Sequence, residues 1–203
     1  MRQFRVISMD KENQNLRIPP KDLLREELQR VESKRDFRRA VMYVAGVLAV
    51  AAALTALAAT RLFVMIRVNG ESMAPTFEDR EVVIIRQTKA VERGDIIGFY
   101  YGGRILLKRY VGDAGDYIDI DDEGNVYVNG AVIDEPYLDE KAVGNCDIEF
   151  PYKVPEGMIF VLGDNRAVSL DSRTKSIGCV DRDQLAGRVV YRAWPLGRIG
   201  FMH

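Results

Sequence analysis

The chemistry open to this chain is narrowed first by what is scarce in it. Of 203 residues there is one histidine, His203, and it is the last residue. A Ser-His-Asp triad would have to recruit that terminal residue as its base. Cys146 and Cys179 are the two cysteines. They are too few for a disulfide framework, and with the histidine they fall short of the about four ligands of a structural zinc site. A nucleophile here needs a different base. Lysine can serve if burial lowers its pKa from about 10.4 toward 7–8.

Five lysines lie beyond residue 60: Lys89, Lys108, Lys141, Lys153 and Lys175. Lys89, Lys141 and Lys175 have polar or acidic neighbours and read as solvated. Lys153 follows Pro151-Tyr152 in a loop-like stretch. Lys108 closes the run Ile105-Leu106-Leu107 and precedes Arg109-Tyr110-Val111. In a strand it shares a face with Leu106 and Tyr110, a setting that disfavours an ammonium. A solubilising lysine on an edge strand fits the same pattern, so the residues alone leave both readings open. Ser72 lies between Gly70 and Pro75, flanks that permit a tight backbone exposing a hydroxyl and converging N–H groups. Most such segments are plain turns. A third stretch, Gly163 to Arg173, crowds Asp, Asn, Ser and Arg into one loop. That density suits a polar surface loop or a buried supporting network.

These residues need elements to position them. Residues 40–60 contain no charged residue. Twenty-one residues at about 1.5 Å each span roughly 30 Å as a helix, the thickness of a bilayer's hydrocarbon core. Ala56-Leu57-Ala58 resembles a cleavage site for a signal peptide. The run is nevertheless longer than the about 7–15 residues of such a peptide's apolar region, and 39 residues precede it. A membrane anchor is therefore expected, ahead of a buried core helix. Seven basic residues occupy the twenty positions before the run and three the twenty after it. That bias places the N-terminus in the cytoplasm and the rest outside. Residues 1–39 carry net charge +4 and residues 61–203 net −5. The total of −1 gives no basic field for nucleic acid.

Three parts are expected: a cytoplasmic segment 1–39, a transmembrane helix 40–60 and a β-rich extracytoplasmic catalytic domain 61–203. Pro19-Pro20 ends anything before it, and Lys21 to Arg39 reads as a charged helical stalk. Beyond the span, short β-branched runs alternate with Gly-containing turns: 82–85, 95–101, 104–111, 117–120, 125–128, 131–133, 158–162 and 188–194. Gly102-Gly103 and Asn129-Gly130 are hairpin signals. The fold class is mostly β, a barrel or sandwich behind one helix. Asp119-x-Asp121-x-Glu123 imitates the start of a calcium loop, but its twelfth position is Gly130, so a solvated hairpin turn is expected. Cys179 reads as a buried strand thiol rather than half of a disulfide with Cys146.

Four segments then occur in a telling order: SMAPT at Ser72 to Thr76, GDIIGF at Gly94 to Phe99, KRYVGDAGD at Lys108 to Asp116, and GDNRAVSLDSR at Gly163 to Arg173. Together they resemble the boxes of bacterial type I signal peptidases, membrane-bound serine/lysine endopeptidases, over roughly residues 40–203. The resemblance implies Ser72 as nucleophile and Lys108 as general base. Ser169 is similar to the serine that hydrogen-bonds the base, and Asp171 and Arg173 look like an ion pair supporting the loop, with Asp164 and Arg166 nearby. Two departures stand out: Ala114 replaces a usual proline, and Ala167-Val168 a usual Asp-Asn. Gly70 supplies no side-chain oxyanion donor.

The implied reaction is removal of N-terminal signal peptides from exported preproteins through an acyl-enzyme, with no metal and no cofactor. The implied partners are signal peptides with small residues at −1 and −3, membrane lipid and the vicinity of the secretion translocon. The implied location is the bacterial cell membrane, single-pass. The alternatives are a dedicated processing peptidase for a few surface or pilus proteins, and a catalytically silent membrane-anchored β module.

Overall fold

A computed structural model describes residues 21–202 of the chain. The Pro19-Pro20 break and His203 lie outside the described residues. The chain divides into two compact units between Thr55 and Ala56.

The helix α1, Lys21–Leu62, runs for 42 residues. Its part Ser33–Leu62 is long and apolar enough to cross a membrane, with a window of mean hydropathy 2.2 that is wholly unburied by protein. Leu48 and Leu54 are both more than 60% exposed, on different faces. An all-round apolar helix left uncovered is unfavourable in water and fits a membrane anchor. Its hydroxyls turn inward: Thr55 Oγ1 donates to Ala51 O at 2.9 Å and Thr60 Oγ1 to Leu57 O at 2.8 Å. This meets the demand that polar groups in lipid be satisfied within the helix.

The β unit is mostly antiparallel sheet, the class its alternating sequence predicts. Among the described residues the strands are β1 Phe63–Arg67, β2 Val82–Arg86, β3 Ile96–Tyr101, β4 Arg104–Gly112, β5 Tyr117–Ile120, β6 Val126–Val128, β7 Ala131–Val132, β8 Tyr152–Lys153, β9 Met158–Leu162, β10 Val180–Asp181, β11 Leu185–Trp194 and β12 Gly200–Phe201. The larger sheet has the order β1-β2-β11-β3-β4-β9-β10, with β12 also paired to β11. The smaller has the order β7-β6-β5-β8. Strands β8, β10 and β12, of two residues each, are too short to be read in advance, and β1 follows the apolar helix without a break that would mark it. β11 is paired by β2 on one side and β3 on the other, with register breaks at Val189/Tyr191, Arg192/Trp194 and Leu185/Gly187. Such bulges bend a long strand without ending its pairing.

Gly102 and Gly103 turn β3 into β4 with φ of 56° and 76°. Two successive positive φ values match the right-handed twist of a tight hairpin and are costly for other residues. This turn sets the register, in which Ile97 faces Lys108 and Ile96 faces Arg109. β9 joins β4 from Arg109 onward, so the stretch from Arg104 to Lys108 keeps one free edge. The core under this region holds Met73, Phe77, Val83, Ile85 and Leu107, each at most 8% exposed.

Some residues sit differently from their sequence reading. Lys89 is not merely solvated: its Nζ donates to the carbonyls of Arg182, Asp183 and Leu185 at 2.8, 2.7 and 3.1 Å. Cys179 is half-buried and lies at a bend before β10 rather than in a strand, and both cysteines are free thiols. Asp121 caps the β5–β6 turn, accepting from Asn125 N and Nδ2, each at 2.8 Å.

Candidate active site

Lys108 sits in β4 opposite Ile97 of β3, and it is only 3% exposed. Its Nζ lies 2.7 Å from Ser72 Oγ, 36 residues away in sequence. Burial lowers the lysine pKa to about 8, against a partial counter-effect from the Asp171 carboxylate. Arg173 lowers it further and Asp164 raises it. A neutral amine at that distance can accept the hydroxyl proton, whereas an ammonium can only donate.

Ser72 lies in a short turn between β1 and β2. The turn is fixed from below, where Phe77 N donates to Met73 O at 2.8 Å and both side chains are buried. Gly70 N donates to Asp79 Oδ1 at 2.8 Å, which closes the approach to Ser72. Arg192 Nη2 donates to Thr76 O on the far side.

The Gly163–Arg173 loop follows β9 and is folded inward on its charges. Asp171 and Arg173 are both completely buried and form a two-point ion pair, at 2.9 Å from Nε and 2.8 Å from Nη2. Asp171 Oδ2 also accepts from Gly163 N at 2.9 Å. Arg173 Nη1 donates to Val143 O at 2.5 Å. An isolated charge here would be prohibitive, so each buried partner requires the other.

Asp164 and Arg166 do not pair with each other. Asp164 accepts both Nε and Nη2 of Arg109, at 2.8 and 2.6 Å, and Thr76 Oγ1 at 2.5 Å. Arg166 pairs with Glu135, Nη2 to Oε1 at 2.5 Å. Arg109 is further covered by Tyr137, whose ring centre lies 3.6 Å from the guanidinium carbon. Through Arg109 and Asp164 the lysine strand, the serine turn and the polar loop are tied together. Sequence reasoning gave Arg109, Thr76, Glu135 and Tyr137 no role. One signal was available for Arg109: a guanidinium inside an apolar strand needs a carboxylate elsewhere.

Ser169 is completely buried, and its Oγ has no hydrogen-bond partner. The expected bond from Ser169 to the lysine is therefore not made in this structure. Ser169 nevertheless lies close to the serine turn. A Cβ placed on Gly163 would come within 2.1 Å of Ser169 Oγ and 2.5 Å of Ser72 O. Gly163→Ala must therefore push apart the loop and the Ser72 backbone. Displacement near the chemistry by about 1 Å is worth roughly a hundredfold in rate. The variant is expected to lose about that much kcat while melting as a folded protein. Wild-type turnover would show that this close approach is unimportant.

A cleft of about 360 Å³ runs to the dyad between Ile66–Asn69 and Arg104–Leu107, with Met73 beneath it. A second cavity of about 560 Å³ opens on Ser72 and Lys108 from another direction. Among the described residues no group of His, Cys, Asp or Glu is arranged to hold a metal ion.

The model of the family "Signal peptidase, peptidase S26" matches residues 40–194. A signal peptidase I of Bacillus caldolyticus is 36% identical over 167 residues, covering 73% of this chain and 90% of the relative. A signal peptidase IB of Staphylococcus aureus is 33% identical, covering 66% and 79%. A crystal structure of a signal peptidase I from Enterococcus faecalis is similar with a TM-score of 0.40 and 30% identity, over 49% of this chain and 96% of that one. The match spans the apolar run, the turn that carries Ser72, the strand that carries Lys108 and the polar loop, and the chain belongs to the signal peptidase family, peptidase S26.

Proposed function

We propose that this chain is a serine endopeptidase that removes N-terminal signal peptides from exported preproteins, with Ser72 as nucleophile and Lys108 as general base. The reading rests chiefly on one observation: a buried lysine amine 2.7 Å from a serine hydroxyl. Neutral Lys108 takes the Oγ proton while Oγ attacks the scissile carbonyl. The Ser72 N–H stabilises the oxyanion. Gly70 has no hydroxyl to add, and its own N–H is committed to Asp79. The C–N bond breaks as the Lys108 ammonium returns the proton to the leaving amine. Water then attacks the ester, Lys108 takes its proton, and Ser72 is regenerated. Ser169 Oγ, unpartnered, is an acceptor for the ammonium that forms. Asp171 with Arg173, and Asp164 and Arg166 with their own partners, hold the loop that carries it.

The substrate lies as an extended strand in the cleft. β1 is the edge of its sheet, and Arg104 to Lys108 has one unpaired edge. Backbone pairing to such edges supplies affinity without reading sequence, and alternate side chains enter pockets. Met73, Ile66 and Val68 line the cleft, an apolar surface for the short side chains at −1 and −3. The apolar helix anchors the enzyme with the catalytic unit outside, because the basic flank precedes it. Membrane lipid and the translocon from which substrates emerge are the partners this reading implies.

The test is incubation of the full chain in detergent with several unrelated purified preproteins, with N-terminal sequencing of the products. A single cut after a small residue in most of them is expected. Cleavage of one preprotein alone would favour a dedicated processing peptidase. Intact substrates throughout would sink the enzymatic reading and leave a silent β module.

A further inference from the structure

We infer that Val168 and Leu170 wall a subsite for the first residue beyond the scissile bond, and that this subsite favours a large apolar side chain there. The inference rests on the peptidase reading above and adds a specificity to it.

The polar loop alternates. Ser169 and Asp171 are completely buried, so the residues between and before them face out. These are Val168 and Leu170, each 53% exposed. Exposed apolar residues grouped into one patch, rather than scattered, mark a binding surface. Both line the 560 Å³ cavity, together with Tyr101, Leu106 and Ile177. Its inner end is formed by Ser72 and Lys108.

The two cavities divide the polypeptide between them. The 360 Å³ cleft is bounded by two backbone edges and takes the extended segment before the cut. The chain must then pass Ser72 and depart, and the second cavity shares Ser72, Arg104, Leu106 and Lys108 with the first and extends from them to Val168, Leu170 and Ile177. It is larger and more apolar than selection for a small side chain needs. Lys108 lines it and must reach the leaving nitrogen, so the residue that follows the cut passes beside this cavity.

The wall is held rigid. Tyr101 Oη donates to Ser176 O at 2.5 Å, which ties the β3 end of the wall to the segment just past the polar loop. Ser169 N donates to Asn165 O at 3.0 Å, fixing the turn that projects Val168. A preformed apolar surface discriminates without ordering cost, and one such pocket is worth roughly tenfold in kcat/KM between apolar and polar side chains.

The experiment uses the full chain in detergent with one preprotein whose first mature residue is Ala, Leu, Phe or Asp. Leu and Phe are expected to exceed Asp by about tenfold in kcat/KM. Val168→Asn and Leu170→Asn, both exposed positions, should each shrink that ratio toward one while the preference for a small −1 residue stays as in wild type. Equal cleavage of all four substrates by wild type would overturn the inference and leave the peptidase reading standing. So would an unchanged ratio in both variants, or an altered −1 preference instead. Failure of the wild type to cleave any of them removes the peptidase reading and this inference with it.

Discussion

Alanine at position 72 reduces preprotein cleavage to background, a loss of at least about 10⁴-fold, while the protein remains folded. The magnitude follows from the chemistry: without Oγ no acyl-enzyme forms, and knockouts of catalytic nucleophiles elsewhere cost up to roughly 10⁶-fold. The fold is spared because the change deletes one oxygen from a half-buried turn held by Met73, Phe77 and Asp79 rather than by the hydroxyl. Thermal melting should shift by no more than about 2 °C. The informative pair of measurements is turnover of a purified preprotein and a melting curve on the same sample. Turnover that survives the substitution moves the nucleophile elsewhere, whereas a collapsed fold makes the loss structural.

Lys108→Arg abolishes activity nearly as completely, although it would be conservative on a surface. Arginine keeps the charge but does not deprotonate, its pKa being above about 12. The wild-type enzyme should gain activity as pH rises. Burial holds the Lys108 pKa near 8, so only the minority of neutral lysine works at lower pH. The rate should climb about tenfold per pH unit below that value and level off above it. The same lowered pKa makes the lysine a burden on the fold. Between pH 8 and 10.5 the unfolded chain binds the proton and the folded chain does not, so stability rises across that window. Below it, burying the ammonium costs about 3 kcal/mol. Lys108→Met should therefore be inactive yet melt higher at pH 7, with the advantage shrinking toward pH 10. A flat rate between pH 6 and 9, or an active arginine variant, would show that Lys108 is not the base.

What the sequence determined by itself was the kind of architecture, and it singled out the Ser72 and Lys108 that the fold brings to 2.7 Å of each other. Local pattern suffices for the apolar run from residue 40 to 60, because a helix in lipid needs only length and composition. Alternation and paired turn residues suffice for β2 to β7 and β9, which fall within a residue or two of where they were read. The scarcity of histidine pointed to lysine, and the order of four motifs singled out Lys108 from five. Tertiary structure decided everything that depends on partners far apart in the chain. Asp164 and Arg166 lie two residues apart in one loop, yet each turns to a distant residue, Arg109 at 2.6 Å and Glu135 at 2.5 Å. A buried charge takes the partner whose geometry satisfies most of its hydrogen bonds, and sequence proximity does not measure that. Lys89 shows the same thing on the surface, where the carbonyls of Arg182, Asp183 and Leu185, at the turn leading into β11, capture an ammonium that composition marked as solvated. The outward face of Val168 and Leu170 is likewise a tertiary fact, because it exists only once Ser169 and Asp171 have been drawn inside.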